Sequence, residues 1–315
     1  MRGIVFSLIS GAAWGTYGIF STLLARQGNS QQTLSLLGIV TILIYFAVVT
    51  AGKIHVLKKT PLRDMVGITL GLGVSNLGAN LCYAGAFTNG MPAGVVSTVA
   101  FCNIPIVMIL SAILFQNRIT RGKLLATVAT LAGVSMTLQG VHSTDTVMIR
   151  PIGLVYTCLI PIFFAQFSII NKYYIRKGRD ADMIMMFQGI GGLCASILIF
   201  RAQPVRIFRE LAELACEDIS VLWFAAGFCL IPEIICYAAQ QEAFRTVEPA
   251  VFSICYAVDP VVAAVLSYLV FGQTLSGIQI VGGMTVLLAV YFLIFTEKRE
   301  NSEKKSSHIK NPLRG

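Results

Sequence analysis

The chain alternates between long apolar runs and short polar interruptions, and the length of the runs decides its class. Ten segments stay apolar over a spanning length: residues 3–25, 33–51, 65–87, 92–115, 121–140, 152–174, 182–200, 219–243, 249–271 and 276–295. About 20 residues of helix, rising about 1.5 Å each, cross the hydrocarbon of a bilayer. Backbone groups in hydrocarbon must be paired within their own segment, so each run is predicted as a helix. The interruptions, such as Gln27-Gly-Asn-Ser30, Lys58-Lys-Thr-Pro61 and Thr88-Asn-Gly-Met-Pro92, carry turn residues. Only Arg201 to Asp218 is long. It mixes apolar Val205, Ile207, Phe208, Leu211, Ala212 and Leu214 with charges, which predicts an amphipathic helix at the interface. The first run follows Met1-Arg-Gly with no small-residue cleavage pattern and reads as a retained helix. Residues 297–315 are charged and aperiodic, and are expected to form a disordered cytoplasmic tail.

Composition agrees with this pattern. At 56% hydrophobic and 12% charged residues, the chain has too little polar surface for a water-soluble domain, so its solvent partner is the lipid bilayer. The net charge of +9 does not point to nucleic acid, because the basic residues gather in the short connections. With a cytoplasmic N-terminus, all but five of the 24 Lys and Arg residues (Arg26, Arg150, Arg201, Arg206 and Arg209) fall on the inner side. That asymmetry places both termini in the cytoplasm and requires an even number of spans. Seven of the eight cysteines lie in apolar runs, Cys216 excepted, and none forms a close Cys-x-x-Cys pair. They read as small core residues, with no disulfide framework, metal site or cofactor implied.

The chain also repeats itself. Gly3-Ile-Val-Phe lies over Gly153-Leu-Val-Tyr at a shift of 150, and the alignment runs without a gap to Arg26-Gln-Gly28 over Arg176-Lys-Gly178. Ala86-Phe-Thr-Asn-Gly-Met-Pro-Ala93 matches Ala243-Phe-Arg-Thr-Val-Glu-Pro-Ala250 at a shift of 157, and farther on Pro105 matches Pro260 and Phe115-Gln-Asn-Arg-Ile-Thr120 matches Phe271-Gly-Gln-Thr-Leu-Ser276. The expected organisation is a first five-helix repeat over 1–140, a linker over 141–151 and a second five-helix repeat over 152–296. Because five is odd, the second half enters the membrane in the opposite sense, an inverted repeat of the kind that places a solute site near the midplane between halves.

The Ser10-Gly-Ala-Ala-Trp-Gly15 opening, the two Pro-Ala starts, the mid-helix prolines, the Phe-x-x-x-[Ile/Leu]-[Thr/Ser] exits and the closing Leu-Ala-Gly-Val and Leu-Leu-Ala-Val resemble the drug/metabolite transporter superfamily, in particular its EamA-type ten-helix members. The resemblance covers residues 3–296. It implies a helical secondary transporter of the plasma or inner membrane, most often an exporter of small metabolites and sometimes an importer. One departure is visible: the glutamate often found after the fourth and ninth helices of the family is replaced by Asn117 and Gln273, which is expected to affect gating or local capping more than substrate identity.

Glu233 and Asp259 sit deep inside apolar segments, where an acid is costly unless it is used. In the eighth helix Glu233, Tyr237 and Gln240 share one face, and the repeat carries those positions onto Asn76, Asn80 and Tyr83 of the third. Tyr256 and Asp259 share a face of the ninth helix beside Pro260, while Pro105 sits beside Phe101 and Asn103 in the fourth; both prolines are expected to be hinges. Trp14, Tyr17, Phe164 and Gln166 fall at equivalent depth in the first and sixth helices, and Gln188 in the seventh is a weaker candidate.

Each of these has a structural alternative. Glu233, directly after Pro232, can hydrogen-bond a freed carbonyl, Asp259 can cap, and the amides can tie helices together. Gly11 and Gly15 are expected to let helices approach closely, Trp223 to lie in the interfacial belt, and Arg245 and Glu248 to form a loop ion pair.

The function expected is alternating-access transport of a small metabolite such as an amino acid or amine, as proton-coupled or gradient-driven export. Glu233 and Asp259 are the proton-coupling candidates, and import of an organic cation is the alternative. An intramembrane enzyme is the competing class. Its only histidines, His55, His142 and His308, lie at helix ends or in the tail, so no catalytic or metal centre is assigned. The solute and the oligomeric state, a homodimer among the options, are left open.

Overall fold

The computed structural model describes residues 2–29, 31–89, 99–138, 151–200, 204–272 and 276–310. Among them all regular structure is helical. The elements are α1 (Arg2–Trp14), α2 (Tyr17–Arg26), α3 (Gln31–Ala51), α4 (Ile54–Lys59), α5 (Leu62–Thr88), α6 (Asn103–Phe115), α7 (Arg121–Leu138), α8 (Pro151–Arg176), α9 (Ala181–Phe200), α10 (Pro204–Glu217), α11 (Ser220–Phe228), a π-helical segment (Cys229–Ile235), α12 (Cys236–Thr246), α13 (Pro249–Tyr256), α14 (Asp259–Phe271) and α15 (Gly277–Lys310). Eight stretches among the described residues are long and apolar enough to cross a bilayer, and Asn103–Phe115 is a shorter apolar helix. Part of the fourth expected segment and most of the expected linker lie outside the described residues.

Local chemistry sets the boundaries. Pro151, Pro204 and Pro249 open helices at the first position, where the missing N–H is not needed. Gly28, Gly178 and Gly272 end them at positive φ (93°, 79° and 66°), and Gln116 does the same at 55°. The outer faces are apolar: Val48, Ile113, Leu198, Leu269 and Tyr291 are all exposed, as a surface against acyl chains requires.

The helices pack in reciprocal pairs. α5 lies against α8 and α9, α1 against α12 and α13, α3 against α9 and the π-segment, α6 against α8 and α13, and α7 against α15. Small residues let some of these backbones approach: a Cβ on Gly73 would stand 2.7 Å from the Gly191 Cα. α10 does not simply float at the interface. Leu211, Leu214 and Ala215 dock on a cluster of Leu24, Leu34, Leu37, Val221 and Phe228 at the ends of α2, α3 and α11. Asp218, between α10 and α11, accepts from the Ser220 N–H at 2.8 Å and from Gln27 Nε2 at 3.1 Å.

Two expectations need correction. Arg245 does not pair with Glu248; it reaches Glu242 at 2.8 Å and Asp182 at 3.7 Å, while Glu248 pairs with Lys123 at 2.5 Å. The chain leaves α12 in an extended turn, Val247 at φ −109° and ψ 159°, which separates the neighbouring charges. α15 runs as helix past residue 296 to Lys310, in keeping with the high helix propensity of Glu, Lys and Arg. Of the cysteines expected in the core, Cys82, Cys236 and Cys255 are buried, but Cys102, Cys158 and Cys194 are exposed on outer faces, where an apolar environment suits a thiol equally well.

Candidate functional site

Prolines shape the middle of the bundle. The ring of Pro260 has no N–H to give Tyr256, four residues back, so α13 stops there and Ala257–Val258 form a tight turn bonded to Ile254 and Cys255. α14 then restarts with Asp259 as its first residue. Phe101–Cys102 form the same turn ahead of α6 and Pro105. Pro232 is absorbed differently: the helix widens into the seven-residue π-segment, which carries Pro232 and Glu233. On the facing helix, Gly11 and Gly15 sit against these irregular backbones. A Cβ on Gly15 would stand 2.8 Å from the Asp259 carbonyl, and one on Gly11 would overlap the Tyr256 carbonyl. The close approach expected of that Gly-x-x-x-Gly pair is therefore made to the α13–α14 break.

Glu233 is 4% exposed, yet it has no hydrogen bond or ion pair among the described residues. It lines a cavity of about 30 Å³ with Trp14, Tyr17, Ser35, Gly38, Ile39, Ile42, Asn76, Asn80 and Tyr237, room for about two waters. Trp14 stacks on Tyr17 at 4.8 Å between centroids and meets Tyr237 edge-on at 6.1 Å. Asn80 Nδ2 donates to Asn76 Oδ1 at 2.8 Å, which fixes the two amides relative to each other. Gly38 opens the space for the acid: a Cβ there would stand 2.5 Å from Glu233 Oε1 and 2.9 Å from its Cδ.

Asp259 belongs to a second group nearby. Its backbone carbonyl packs on Gly15, the residue after Trp14 of the cavity wall, and Tyr256 ends α13 just ahead of it. Tyr83 meets Phe164 at 5.9 Å and Tyr256 meets Phe252 at 5.4 Å. None of Tyr83, Phe164, Tyr256 and Asp259 lines the Glu233 cavity, and neither do four further candidates. Phe101 packs into the apolar cluster around Ile104, Cys255 and Val286. Gln166 Nε2 donates to the Gly71 carbonyl at 3.4 Å, a tie between α8 and α5. Asn103 keeps a buried Oδ1 without a partner, and Gln240 is buried on α12. Gln188 is fully buried with neither amide atom bonded.

Some contributors were not foreseen. α3 supplies Ser35, Gly38, Ile39 and Ile42 to the lining, although no residue of that segment was singled out; the only signal was a small residue every third position in an otherwise apolar run. Lys172, counted only as a loop charge, is 6% exposed and donates to the Phe244 and Val247 carbonyls at 2.6 and 2.7 Å, satisfying the C-terminus of α12. Beside it Gln241 Nε2 donates to Asn171 Oδ1 at 3.1 Å.

The bundle end that holds the N-terminus is closed by ion pairs. Lys53 meets Asp182 at 2.5 Å and Asp180 at 3.6 Å, Arg2 meets Glu242, and Asp64 binds Lys177 at 2.5 Å and Arg179 at 2.7 Å. The hydrogen bond to Asp182 is the main reason the Lys53 ammonium titrates above its ordinary value. Asn117 accepts from Arg176 at 3.1 Å and donates to Ser111 at 2.6 Å. Gln273 lies outside the described residues.

Comparison with known proteins adds the family. The model of the EamA-like transporter family matches residues 1–139 and again 151–295. Protein PecM of Dickeya dadantii is 26% identical over 223 residues, 70% of each chain. A probable amino-acid metabolite efflux pump of Salmonella typhimurium is 25% identical over 247 residues, 75% of this chain and 78% of the pump. A protein of known crystal structure superposes with a TM-score of 0.72 at 12% identity, covering 94% of this chain and 98% of the other, a likeness of fold.

Proposed function

Because the chain belongs to the EamA-like transporter family, and is thus a multi-pass membrane transporter and not an enzyme, we propose that it moves a small organic metabolite by alternating access through the Glu233 cavity. One observation carries this: a carboxyl buried within a span, bonded to nothing among the described residues, facing a cavity walled by Trp14, Tyr17 and Tyr237. An acid kept for structure would be hydrogen-bonded, whereas one that takes up and releases a proton or a solute must be left available. Glu233 and Asp259 are the two groups through which a proton gradient drives export. The name of the Salmonella relative, an efflux pump, supports that direction.

The architecture proposed is ten spans in two inverted halves, with both termini in the cytoplasm of a plasma or inner membrane. The family model matches once per half. Equivalent irregularities support the same reading: Gly28 and Gly178 both cap at positive φ, as do Gln116 and Gly272. The Arg26 guanidinium lies 4.7 Å from the Phe271 ring and its counterpart Arg176 lies 4.5 Å from Phe115. The packing of α5 on α8 has its counterpart in α12 on α1. In such a frame Pro105 and Pro260 are the hinges, and the Asn76–Asn80–Tyr83 face is the uncharged counterpart of the Glu233–Tyr237–Gln240 face.

Counterflow in proteoliposomes tests the role of the acids. Glu233→Gln and Asp259→Asn are expected to lower the rate at least tenfold and to flatten its pH dependence. Wild-type rates with unchanged pH dependence in both variants would refute it.

A further inference from the structure

The charge inventory of the cavity narrows the solute. The lining contributes one carboxyl, three aromatic rings, two amides and the hydroxyls of Ser35, Tyr17 and Tyr237, and no basic group. The second acid, Asp259, opens α14 against Gly15, next to Trp14 of the wall. Lys172, a buried lysine on α8, has two of its three donors committed to the Phe244 and Val247 carbonyls. Lys53, Lys177, Arg179, Arg245, Arg26 and Arg176 lie in the ion pairs and ring contacts at helix ends.

A solute carboxylate entering this space meets acids of its own sign in a region poor in water, and nothing on the wall neutralises it. A solute ammonium meets Glu233, 96% removed from solvent and unpaired, together with the rings of Trp14, Tyr17 and Tyr237, whose faces attract a cation. Asn80 commits its Nδ2 to the Asn76 carbonyl and Oδ1, so the donors that remain on the wall, among them the Asn76 amide and the Ser35, Tyr17 and Tyr237 hydroxyls, are all neutral and supply no positive charge to a carboxylate. Resting on the transport reading above, we infer that the cavity selects solutes that carry an ammonium group and no free carboxylate: amines in preference to the amino acids from which they differ by that group alone.

The experiment compares matched pairs. Radiolabelled tyramine and tyrosine, and cadaverine and lysine, are loaded in proteoliposomes containing the full chain, and exchange is followed with wild type and Glu233→Gln. In at least one pair the amine is expected to exchange tenfold faster or more than its amino acid, and Glu233→Gln to remove that preference. Thermal stability of the variant in detergent checks that it is folded. Equal or faster exchange of the amino acids, or an amine preference that persists in folded Glu233→Gln, overturns the inference and leaves transport intact. If neither member of either pair moves, the inference falls as well. The transport reading falls with it only if a panel of neutral metabolites is also not exchanged.

Discussion

Adding one methyl group at Gly38 separates the position of the Glu233 carboxyl from the stability of the fold. In Gly38→Ala the new Cβ would stand 2.5 Å from Oε1, whereas ordinary contact begins at 3.4 Å. The carboxyl must therefore retreat by about 0.9 Å. Because the crowded atoms are the far end of a side chain, χ rotations absorb the shift and the helices need not move. An off-rotamer side chain costs roughly 0.5–1.5 kcal/mol, which is about a two- to twelve-fold loss in whatever equilibrium requires the native carboxyl position. The assay is the apparent affinity of counterflow in proteoliposomes, measured beside thermal unfolding in detergent. Affinity is expected to fall within that range while unfolding changes little. Glu233→Asp in the same background, which withdraws the carboxyl by one carbon, is expected to recover part of the loss. Unchanged affinity in Gly38→Ala, or a loss matched by an equal loss of stability, would refute the claim that Gly38 positions the acid.

Two further predictions concern the ends of the bundle. Lys172→Ala leaves the Phe244 and Val247 carbonyls without their donor and is expected to lower stability by about 1–3 kcal/mol; Lys172→Arg, which keeps the charge and donors, should retain part of it, as chemical unfolding in detergent would register. At the α10–α11 junction, the Ser220 N–H holds the Asp218 carboxyl below its ordinary value of 3.8. A lowered folded-state value means that its contribution is present above 3.8 and lost as pH falls through the lowered value, so hydrogen-exchange protection of the Ser220 amide is expected to fall in that acid range in wild type and to be already low and pH-independent in Asp218→Asn.

Spanning helices were legible because hydrophobicity over 20 residues is a property of composition and does not depend on neighbours. The two intramembrane acids were legible for the same reason, since they interrupt that composition. Tertiary choices were harder to see. Arg245 and Glu248 are close in sequence, and proximity along the chain suggested a pair, but the extended turn at Val247 sends them to partners on α9 and α7. The contribution of α3 to the cavity was hidden because its useful feature is an absence: Gly38 matters through the space it leaves for a side chain nearly 200 positions away. Lys172 looked like one of many loop charges, since nothing local marks the two carbonyls that capture it. Pro260 announced a break that the backbone makes. Pro232 announced only a missing hydrogen bond, and the chain answered with a wider helix.

That wider helix has a mechanical consequence. A π-turn holds one residue more than an α-turn, so returning it to α geometry displaces the register by one residue, equivalent to a twist of about 100°. Such a change would turn the half-helix of Tyr237 and Gln240 relative to that of Trp223 and displace it by only about 1.5 Å along the axis. Between Cys229 and Ile235 the protein contains the equivalent of a swivel, set at the depth of the acid it would turn toward or away from the cavity.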